Sequence, residues 1–274
     1  MLIPDEDIKA YHRNPAVGSS MAKLARKSLR LFEDVRSGLA PAVEDKPCWQ
    51  VGRIIHTRVL EPDRYAEMVR SQGPINPKTG KEYGRDTNAF AMWQAENPDV
   101  IMVEPFIDMM CHRMPDAVKY ILRDGRPEVT IRVPFVWPME IQCRPDWMRG
   151  SDDWDLKTID DVDNWPRAVR RLDYWFSAGW YKMTKLLSGE FNGIGEWRWI
   201  FCEKKWPYRW KVVRMSSEYV TKAMEEAEAV ALKISDAMRS GKWDDEDAGE
   251  VVAELPPELS DEDFTINQEG SISL

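Results

Sequence analysis

The chain has 274 residues, of which 43% are hydrophobic and 31% are charged. These proportions are typical of globular proteins and exclude a fully disordered or collagen-like chain. No apolar run approaches the roughly 18 residues of a membrane helix, and the acidic start lacks the basic-then-apolar order of a signal peptide. We therefore expect a cytoplasmic protein that does not bind membranes.

Most of the net charge of −9 belongs to the C-terminal end. Residues 244–274 contain eleven Asp or Glu and no Lys or Arg, so the rest of the chain has 38 basic and 36 acidic residues. We predict one domain over 1–243, mainly helical over 1–125 and with a catalytic sheet over 126–243. An acidic tail over 244–274 follows it. A near-neutral domain can still bind nucleic acid through a local basic groove.

The four cysteines have spacings that fit neither a zinc site nor a disulfide framework. They are Cys48, Cys111, Cys143 and Cys202. We predict reduced thiols in or near the core.

The first half of the chain has mostly helical patterns. Apolar residues recur at helical spacing, and glycine or proline follows each segment, which predicts helices over 19–37, 52–60, 87–97 and 104–123. A stretch rich in Gly and Pro at 71–88 predicts a loop between two of them. Its basic residues make it a candidate phosphate-contacting loop; they are Lys78, Lys81 and Arg85.

The second half alternates between strand and helix patterns. Alternating apolar residues predict strands over 128–134, 139–144, 154–158, 196–203 and 209–215. Helical spacing predicts long helices over 165–187 and 216–239. This order favours an α/β fold with a small mixed sheet flanked by helices, behind a helical N-terminal region.

Two neighbouring strands carry the residues that point to a chemistry. Asp155 and Lys157 are two apart, so they share one face of their strand while Leu156 faces the core. If the strands at 139–146 and 154–158 form a hairpin, Asp146 lies beside Asp155. Two close carboxylates repel each other unless a cation joins them, and Mg²⁺ suits such oxygen ligands. A lysine beside that ion can hold the attacking water, which indicates metal-assisted phosphodiester hydrolysis.

Asp-x-Lys alone is also what an exposed salt bridge on a strand would give, so the surrounding motifs matter. In order and spacing they resemble the PD-(D/E)xK nuclease superfamily, with its RecB-like and lambda-exonuclease-like members. Within it they resemble the exonuclease VIII (RecE-type) family of viral and prophage recombination nucleases. The resemblance covers about 11–243. Its main pieces are Tyr11-His12, Ser19-Ser20, Gly52-Arg53-Ile54-Ile55-His56, Cys143-Arg144-Pro145-Asp146-Trp147, Asp155-Leu156-Lys157-Thr158 and Phe201-Cys202-Glu203-Lys204.

The resemblance implies a restriction-endonuclease-like core and a role for each site residue. Asp146 and Asp155 would bind metal, and Lys157 would be the catalytic lysine. His56 would reach the metal from a helix, Glu128 would be an upstream acid, and the backbone carbonyl of Leu156 would be a further ligand. The implied cofactor is Mg²⁺, with Mn²⁺ as a substitute and without ATP. No cysteine cluster of the kind that binds iron–sulfur groups in some relatives is present.

Family members degrade linear duplex DNA from 5′ to 3′ in bacterial or phage-infected cells. They leave a 3′ strand for a RecT-type annealing protein, and several form rings, which would mean a trimer or tetramer here. Candidate DNA contacts are Ser19, Ser20, Arg26, Arg53, Lys78, Lys81, Arg85, Tyr174, Ser177 and Tyr181. Ser177 departs from the family, which often has Gln there.

Tryptophans beside the acids could stack on a DNA end or simply pack in the core; they are Trp147 and Trp154. Two other functions stay open at this point. One is an endonuclease or nickase of the same fold. The other is a non-catalytic DNA-binding recombination protein.

Overall fold

The computed structural model describes residues 1–41, 47–70, 73–98, 100–102, 105–243, 265–266 and 272–273. The chain divides into two compact units, 1–243 and 244–274. In the second unit the described residues form one short antiparallel ladder, β11 (Thr265–Ile266) with β12 (Ile272–Ser273). Among the helices of the described residues, none is long and apolar enough to cross a membrane.

The described helices lie mainly where the sequence predicts them. They are α1 (Ile8–Arg13), α2 (Ser19–Lys27), α3 (Leu29–Arg36), α4 (Pro47–Leu60), α5 (Pro62–Met68), α6 (Asn88–Glu96), α7 (Pro105–His112), α8 (Asp116–Ile121), α9 (Trp165–Arg171), α10 (Tyr174–Ser188) and α11 (Ser217–Ser240). A 3₁₀ turn at Val162–Asn164 precedes α9.

Three predicted helices are each divided in two, so their predicted lengths are wrong. Ser28 is extended and its hydroxyl accepts a hydrogen bond from Leu31 N, which caps α3 and separates it from α2. Pro115 stands between α7 and α8. Asp173 has a left-handed φ of 50° and separates α9 from α10.

The strands form two sheets in the first unit and a further short pair. The five-stranded sheet has the order β10 (Trp210–Arg214), β9 (Trp197–Glu203), β8 (Asp152–Ile159), β7 (Trp147–Arg149), β4 (Arg126–Pro127). Only β8 and β9 are parallel in this sheet, and α9 and α10 connect them. The three-stranded sheet has the order β1 (Leu2–Ile3), β5 (Thr130–Pro134), β6 (Glu140–Cys143). Strands β2 (Val69–Arg70) and β3 (Ile101–Met102) form the short parallel pair. The predicted α/β fold with small mixed sheets and flanking helices is confirmed.

The hairpin considered between 139–146 and 154–158 does not form. Strand β6 pairs with β5, and it is the short strand β7 that pairs with β8, with Trp147 opposite Trp154. The chain between β6 and β7 contains Pro145, which has no N–H to donate to a ladder. Asp146 therefore directly precedes β7 and lies beside β8 at the point where the ladder between these two strands ends.

The interior consists of three apolar clusters around the two sheets. Trp154 and Leu156 of β8 pack with Ile54 and Ile55 of α4 in one of them. Trp147 is 7% exposed and Trp154 is 1% exposed, so both belong to the core, and the suggestion that they stack on DNA is wrong. Alternation along β8 thus places α4 against the face opposite to Asp155 and Lys157.

The contact between α10 and α11 requires a glycine at position 179. A Cβ added to Gly179 would overlap the backbone carbonyl of Ala223 on α11. We expect Gly179→Ala to lower the free energy of unfolding by about 1–3 kcal/mol, because the helices must move apart. Urea denaturation would measure the change. The half-buried Ser177→Ala on the same helix is the control, with an expected change within about 0.5 kcal/mol; equal effects would contradict the packing argument.

Candidate metal and catalytic site

Strand β8 separates three charged side chains from the apolar cluster with α4. Because successive residues of a strand alternate between faces, Asp153, Asp155 and Lys157 are on one side and Trp154 and Leu156 on the other. The Lys157 Nζ atom lies 2.6 Å from Asp155 Oδ1, so these two side chains do share a face. This part of the geometry follows from the local sequence alone.

The backbone of β8 is open at Leu156, because its partner strand β7 has already diverged. Continuing the register of Trp147 opposite Trp154, Pro145 would stand opposite Leu156, where it has no N–H to offer. Side chains contact the free N–H and carbonyl groups of Leu156 instead. Leu156 N donates a hydrogen bond to Asp146 Oδ2 at 2.7 Å, and His56 Nε2 lies 2.6 Å from Leu156 O. The gap in the ladder therefore gathers a carboxylate, an imidazole and a backbone carbonyl.

Three side chains around this gap can hold a metal ion. His56 on α4, Glu128 between β4 and β5, and Asp146 each offer one ligand atom, and these atoms all lie within 4.8 Å of one another. Carboxylate oxygens and imidazole nitrogen are ligands that divalent metals accept. Binding through His56 Nε2 requires the proton to be on Nδ1, since only the unprotonated nitrogen has a lone pair to share.

Glu128 is held in this group by a strained backbone and by Arg144. Its φ of 51° lies in the left-handed region, which costs a non-glycine residue about 1–2 kcal/mol. Glu128 N donates to Asp146 O at 3.3 Å, and Arg144 Nε donates to Glu128 Oε2 at 2.8 Å. Arg144 is 8% exposed and also donates to Glu6 O at 2.7 Å. The role of Arg144 was not predicted from the sequence, although a basic residue directly before Pro145-Asp146 was a usable signal.

Asp155 is not a member of the three-residue group. The cation that the sequence predicts between Asp146 and Asp155 stays a prediction; in the structure the Lys157 ammonium lies beside both carboxylates. Its Nζ is 2.6 Å from Asp155 Oδ1 and 3.8 Å from Asp146 Oδ2. The two acids thus lie on the same side of the sheet, and the ammonium lies next to the candidate metal ligands.

Burial makes two acids of this site, Glu128 and Asp155, hold protons more tightly than ordinary carboxyls. Burial, reinforced by Asp146, raises the pKa of Glu128 to about 7, against the opposing effect of Arg144. Burial raises the pKa of Asp155 to about 6; Lys157 opposes this and Asp146 adds to it. Burial lowers the pKa of Lys157, but Asp155 and Asp146 outweigh it, so the pKa is above its ordinary value. Lys157 therefore stays charged. The carboxyl groups of Glu128, Asp146 and Asp155 outnumber the neighbouring side-chain cations, Lys157 and Arg144, which favours binding of a further cation.

His56 and Glu128 of this group line a cleft of about 610 Å³. Of the predicted DNA contacts, Arg53 and Tyr174 line it, and the Lys157 ammonium lies 5.3 Å from the centre of the Tyr174 ring. Other lining residues were not predicted from sequence; they include Trp49, Glu61, Arg64 and Lys204. Lys204 belongs to one of the motifs quoted above, but the other three residues lie far from it in the chain, so only the fold could bring them together.

The remaining predicted DNA contacts do not line this cleft. Arg26 is tied to Asp173 at 3.1 Å and to Glu226 at 3.0 Å. Tyr181 packs edge-on against Trp197, with ring centres 5.6 Å apart. Of the others, Ser19 is buried, Ser177 is half-buried, and the exposed ones are Ser20, Lys78, Lys81 and Arg85.

Three of the four cysteines have described side chains. Cys111, Cys143 and Cys202 are free and buried, while the side chain of Cys48 lies outside the described residues. Burial raises the pKa of Cys143 and of Cys202 well above the ordinary thiol value, so both stay protonated.

Comparison with known proteins adds a fold relationship. No protein-family model and no curated protein matches the sequence. A solved structure from Eubacterium rectale, described as a "Putative exonuclease", is similar with a TM-score of 0.59 and 16% sequence identity. The match covers 93% of this chain and 96% of that one. At this identity the likeness establishes a shared fold over nearly the whole length of both proteins.

Proposed function

We propose that this protein is a metal-dependent nuclease that hydrolyses phosphodiester bonds of DNA in the cleft beside β8. The observation that carries the proposal is the meeting of His56, Glu128 and Asp146 within 4.8 Å, with the Lys157 ammonium 3.8 Å from Asp146. A strand salt bridge needs only Asp155 and Lys157, so it would not explain the imidazole and the second and third carboxyls at an open backbone position.

The residues present fit a divalent ion, and Mg²⁺ is the proposed one, with Mn²⁺ as a substitute. His56, Glu128 and Asp146 would hold it, and the Leu156 carbonyl is a further oxygen at the same place. When bound, such an ion neutralises phosphate charge and makes a water molecule more acidic. Asp155 is proposed as a third acid of the site: it would share the ion with Asp146, as the family resemblance implies, and its carboxylate keeps Lys157 charged and in place.

The other residues of the cleft have roles that their chemistry supports. The Lys157 ammonium can orient the attacking water and stabilise charge on the phosphate as it develops. Arg53 and Lys204 line the cleft and can bind phosphates of the DNA backbone, contacts that carry no sequence information. This suits a nuclease that acts on any sequence.

We further propose that the substrate is the end of a linear duplex, degraded from 5′ to 3′ without ATP. The support is the resemblance to exonuclease VIII, together with the exonuclease description of the structural neighbour. A RecT-type annealing protein as partner, a ring-shaped oligomer and a role in recombination belong to the same proposal and rest on the resemblance alone.

Digestion of labelled DNA tests the proposal directly. Linear duplexes labelled at the 5′ or the 3′ end are compared with a covalently closed circle, in Mg²⁺, Mn²⁺, Ca²⁺ or chelator. We expect the linear duplex alone to be degraded, with Mg²⁺ or Mn²⁺ required and the 5′ label released first. Cleavage of the circle would identify an endonuclease instead. DNA binding without cleavage in any metal would favour the non-catalytic alternative.

Metal binding should compete with protons at the buried acids. The pKa values of about 7 for Glu128 and about 6 for Asp155 exceed the ordinary carboxyl value near 4, so the folded protein binds these protons more tightly than the unfolded chain. The stability they give the metal-free protein is complete below about pH 4 and is lost as the pH rises through about 6–7. The metal takes the place of the protons, so its affinity should rise over the same range, about tenfold per pH unit for each proton displaced.

Thermal unfolding at pH 5.5, 6.5 and 7.5, with and without Mg²⁺, would measure this competition. We expect the midpoint without metal to fall with pH and the increment from Mg²⁺ to grow. Glu128→Gln is the control, because it removes one of the competing protons and should flatten the pH dependence of the increment. An increment that is independent of pH would contradict the assignment of these acids to the metal site.

A further inference from the structure

An exposed tryptophan stands on the hairpin between β9 and β10. Trp206 is 69% exposed, although most large apolar side chains of this chain's sheets are buried. Its ring is held in place: the Arg113 guanidinium lies 4.1 Å from its centre, and Tyr208 packs edge-on with ring centres 6.1 Å apart. Arg113 Nη1 in turn donates to Pro207 O at 3.1 Å, so the guanidinium and the indole are fixed to the same turn.

This hairpin begins at the wall of the candidate catalytic cleft. Lys204 lines the cleft, and its N–H donates to Ile159 O at the end of β8. Trp206 is two residues further, a distance that extended chain covers in at most about 7 Å. The backbone of Trp206 therefore lies within about 7 Å of a residue of the cleft wall, whereas Trp49 lines the cleft itself.

The charge around Trp206 suits an anionic partner. Lys204 and Lys205 share a single carboxylate, Asp160, at 2.9 Å and 3.7 Å. With Arg113 these groups carry a net positive charge beside an indole that is open to solvent. A flat aromatic ring with cations around it is the combination that binds nucleic acid: the bases stack on the ring and the phosphates meet the cations.

We propose that Trp206, supported by Arg113, is a stacking platform for one nucleobase of the DNA whose backbone enters the cleft. The inference rests on the proposed nuclease function and adds a contact with the substrate outside the metal site. Its role is to hold the strand beside the cleft, so it acts on binding rather than on the hydrolytic step. The base is either unpaired in a single strand or part of the last pair of a duplex end, and the two probes below distinguish these sources.

The chain offers a matched control for the test. Trp137 is 81% exposed, also precedes a proline in a hairpin turn, and does not line the cleft. The proteins compared are the full chain and its Trp206→Ala, Trp206→Phe and Trp137→Ala variants. The probes are a fluorescein-labelled 12-nucleotide single strand and a 12-base-pair blunt duplex, with Ca²⁺ replacing Mg²⁺ to suppress turnover. Titration by fluorescence anisotropy gives Kd for each.

We expect Trp206→Ala to weaken binding of at least one probe about tenfold, within the roughly 1–3 kcal/mol that stacking of one base contributes. Trp206→Phe should lose less than threefold, and Trp137→Ala should bind like the unaltered protein. A probe with abasic positions at its 5′ end should bind the unaltered protein and Trp206→Ala equally. Because both rings are mostly exposed, urea denaturation should give stabilities within about 1 kcal/mol for all variants, which allows for the lost contact between Arg113 and Trp206.

Two results would overturn the inference, and they differ in what else they remove. If the unaltered protein binds and degrades DNA while Trp206→Ala binds within twofold of Trp137→Ala, the platform is wrong and the nuclease function stands. In that case the exposed indole of Trp206 would be assigned instead to a contact with another protein. If the unaltered protein neither binds nor degrades DNA, the proposed function fails, and the platform fails with it.

Discussion

Replacing Lys157 with alanine is expected to lower the rate of DNA hydrolysis by about 10²–10⁴-fold. The Lys157 ammonium lies 2.6 Å from Asp155 and 3.8 Å from Asp146, so it is the cation that can position a water beside the candidate metal ligands. Its removal should not weaken metal binding, because the carboxylates lose a competing positive charge. Initial rates on an end-labelled duplex and calorimetric titration with Mg²⁺ would separate the two effects.

Two further variants make this result interpretable. Lys119→Ala removes an exposed lysine of α8 that does not line the cleft, and it should leave the rate unchanged. Asp146→Asn should weaken metal binding, which Lys157→Ala should not. Its amide oxygen can still accept the hydrogen bond from Leu156 N, so this contact is kept. Full activity of Lys157→Ala would refute the role of this lysine, whatever the other variants do.

Replacing Asp153 with asparagine is expected to lower the free energy of unfolding by about 3–5 kcal/mol. Asp153 is fully buried and bridges two buried lysines, with Oδ1 2.6 Å from Lys185 Nζ and Oδ2 2.7 Å from Lys182 Nζ. Both ammonium groups also donate to Ser151 O, at 2.7 Å from Lys182 and 3.2 Å from Lys185. Without the carboxylate, two positive charges remain in the interior with only carbonyl oxygens around them.

Urea denaturation would give the change in free energy of unfolding. The control is Asp152→Asn, one residue away and half-buried; its carboxylate accepts a hydrogen bond from Glu196 N, which an amide oxygen can replace. We expect this control to lose less than about 1 kcal/mol. Equal losses for the two variants would contradict the claim that the buried carboxylate of Asp153 contributes more to the free energy of unfolding than that of Asp152.

This buried cluster of Asp153, Lys182 and Lys185 also shows why the burial of the two lysines could not be predicted from the sequence. Lys182 and Lys185 are three apart on α10, a spacing that is ordinary for the solvated face of a helix. The side of α10 on which they lie packs against β8 and the turn after β7, and this is decided by contacts between elements that are distant in the chain. No local pattern distinguishes a lysine that will meet a buried carboxylate from one that will meet water.

The candidate site likewise has some features that the sequence predicts and others that only the fold decides. The alternation of β8 alone places Asp155 and Lys157 on one face, and the helical and strand patterns alone predict the α/β class. The positions of His56 and Glu128 relative to Asp146 were implied only by a family resemblance, and the strand pairing assumed for Asp146 was wrong. Pro145 interrupts the ladder, so the acid reaches β8 through its side chain rather than through a hairpin.

The sequence by itself determined the periodic features: where the five longer strands and most helices form, which residues of β8 share a face, and where the acidic tail begins. These follow from backbone geometry and neighbouring residues, which act over a few positions. The tertiary structure alone decided that Arg144 holds Glu128, that Lys157 lies beside both aspartates, and that Trp206 is exposed while Trp147 and Trp154 are core. Such outcomes depend on which surfaces meet after folding, because burial and charge pairing are properties of segments far apart in the chain.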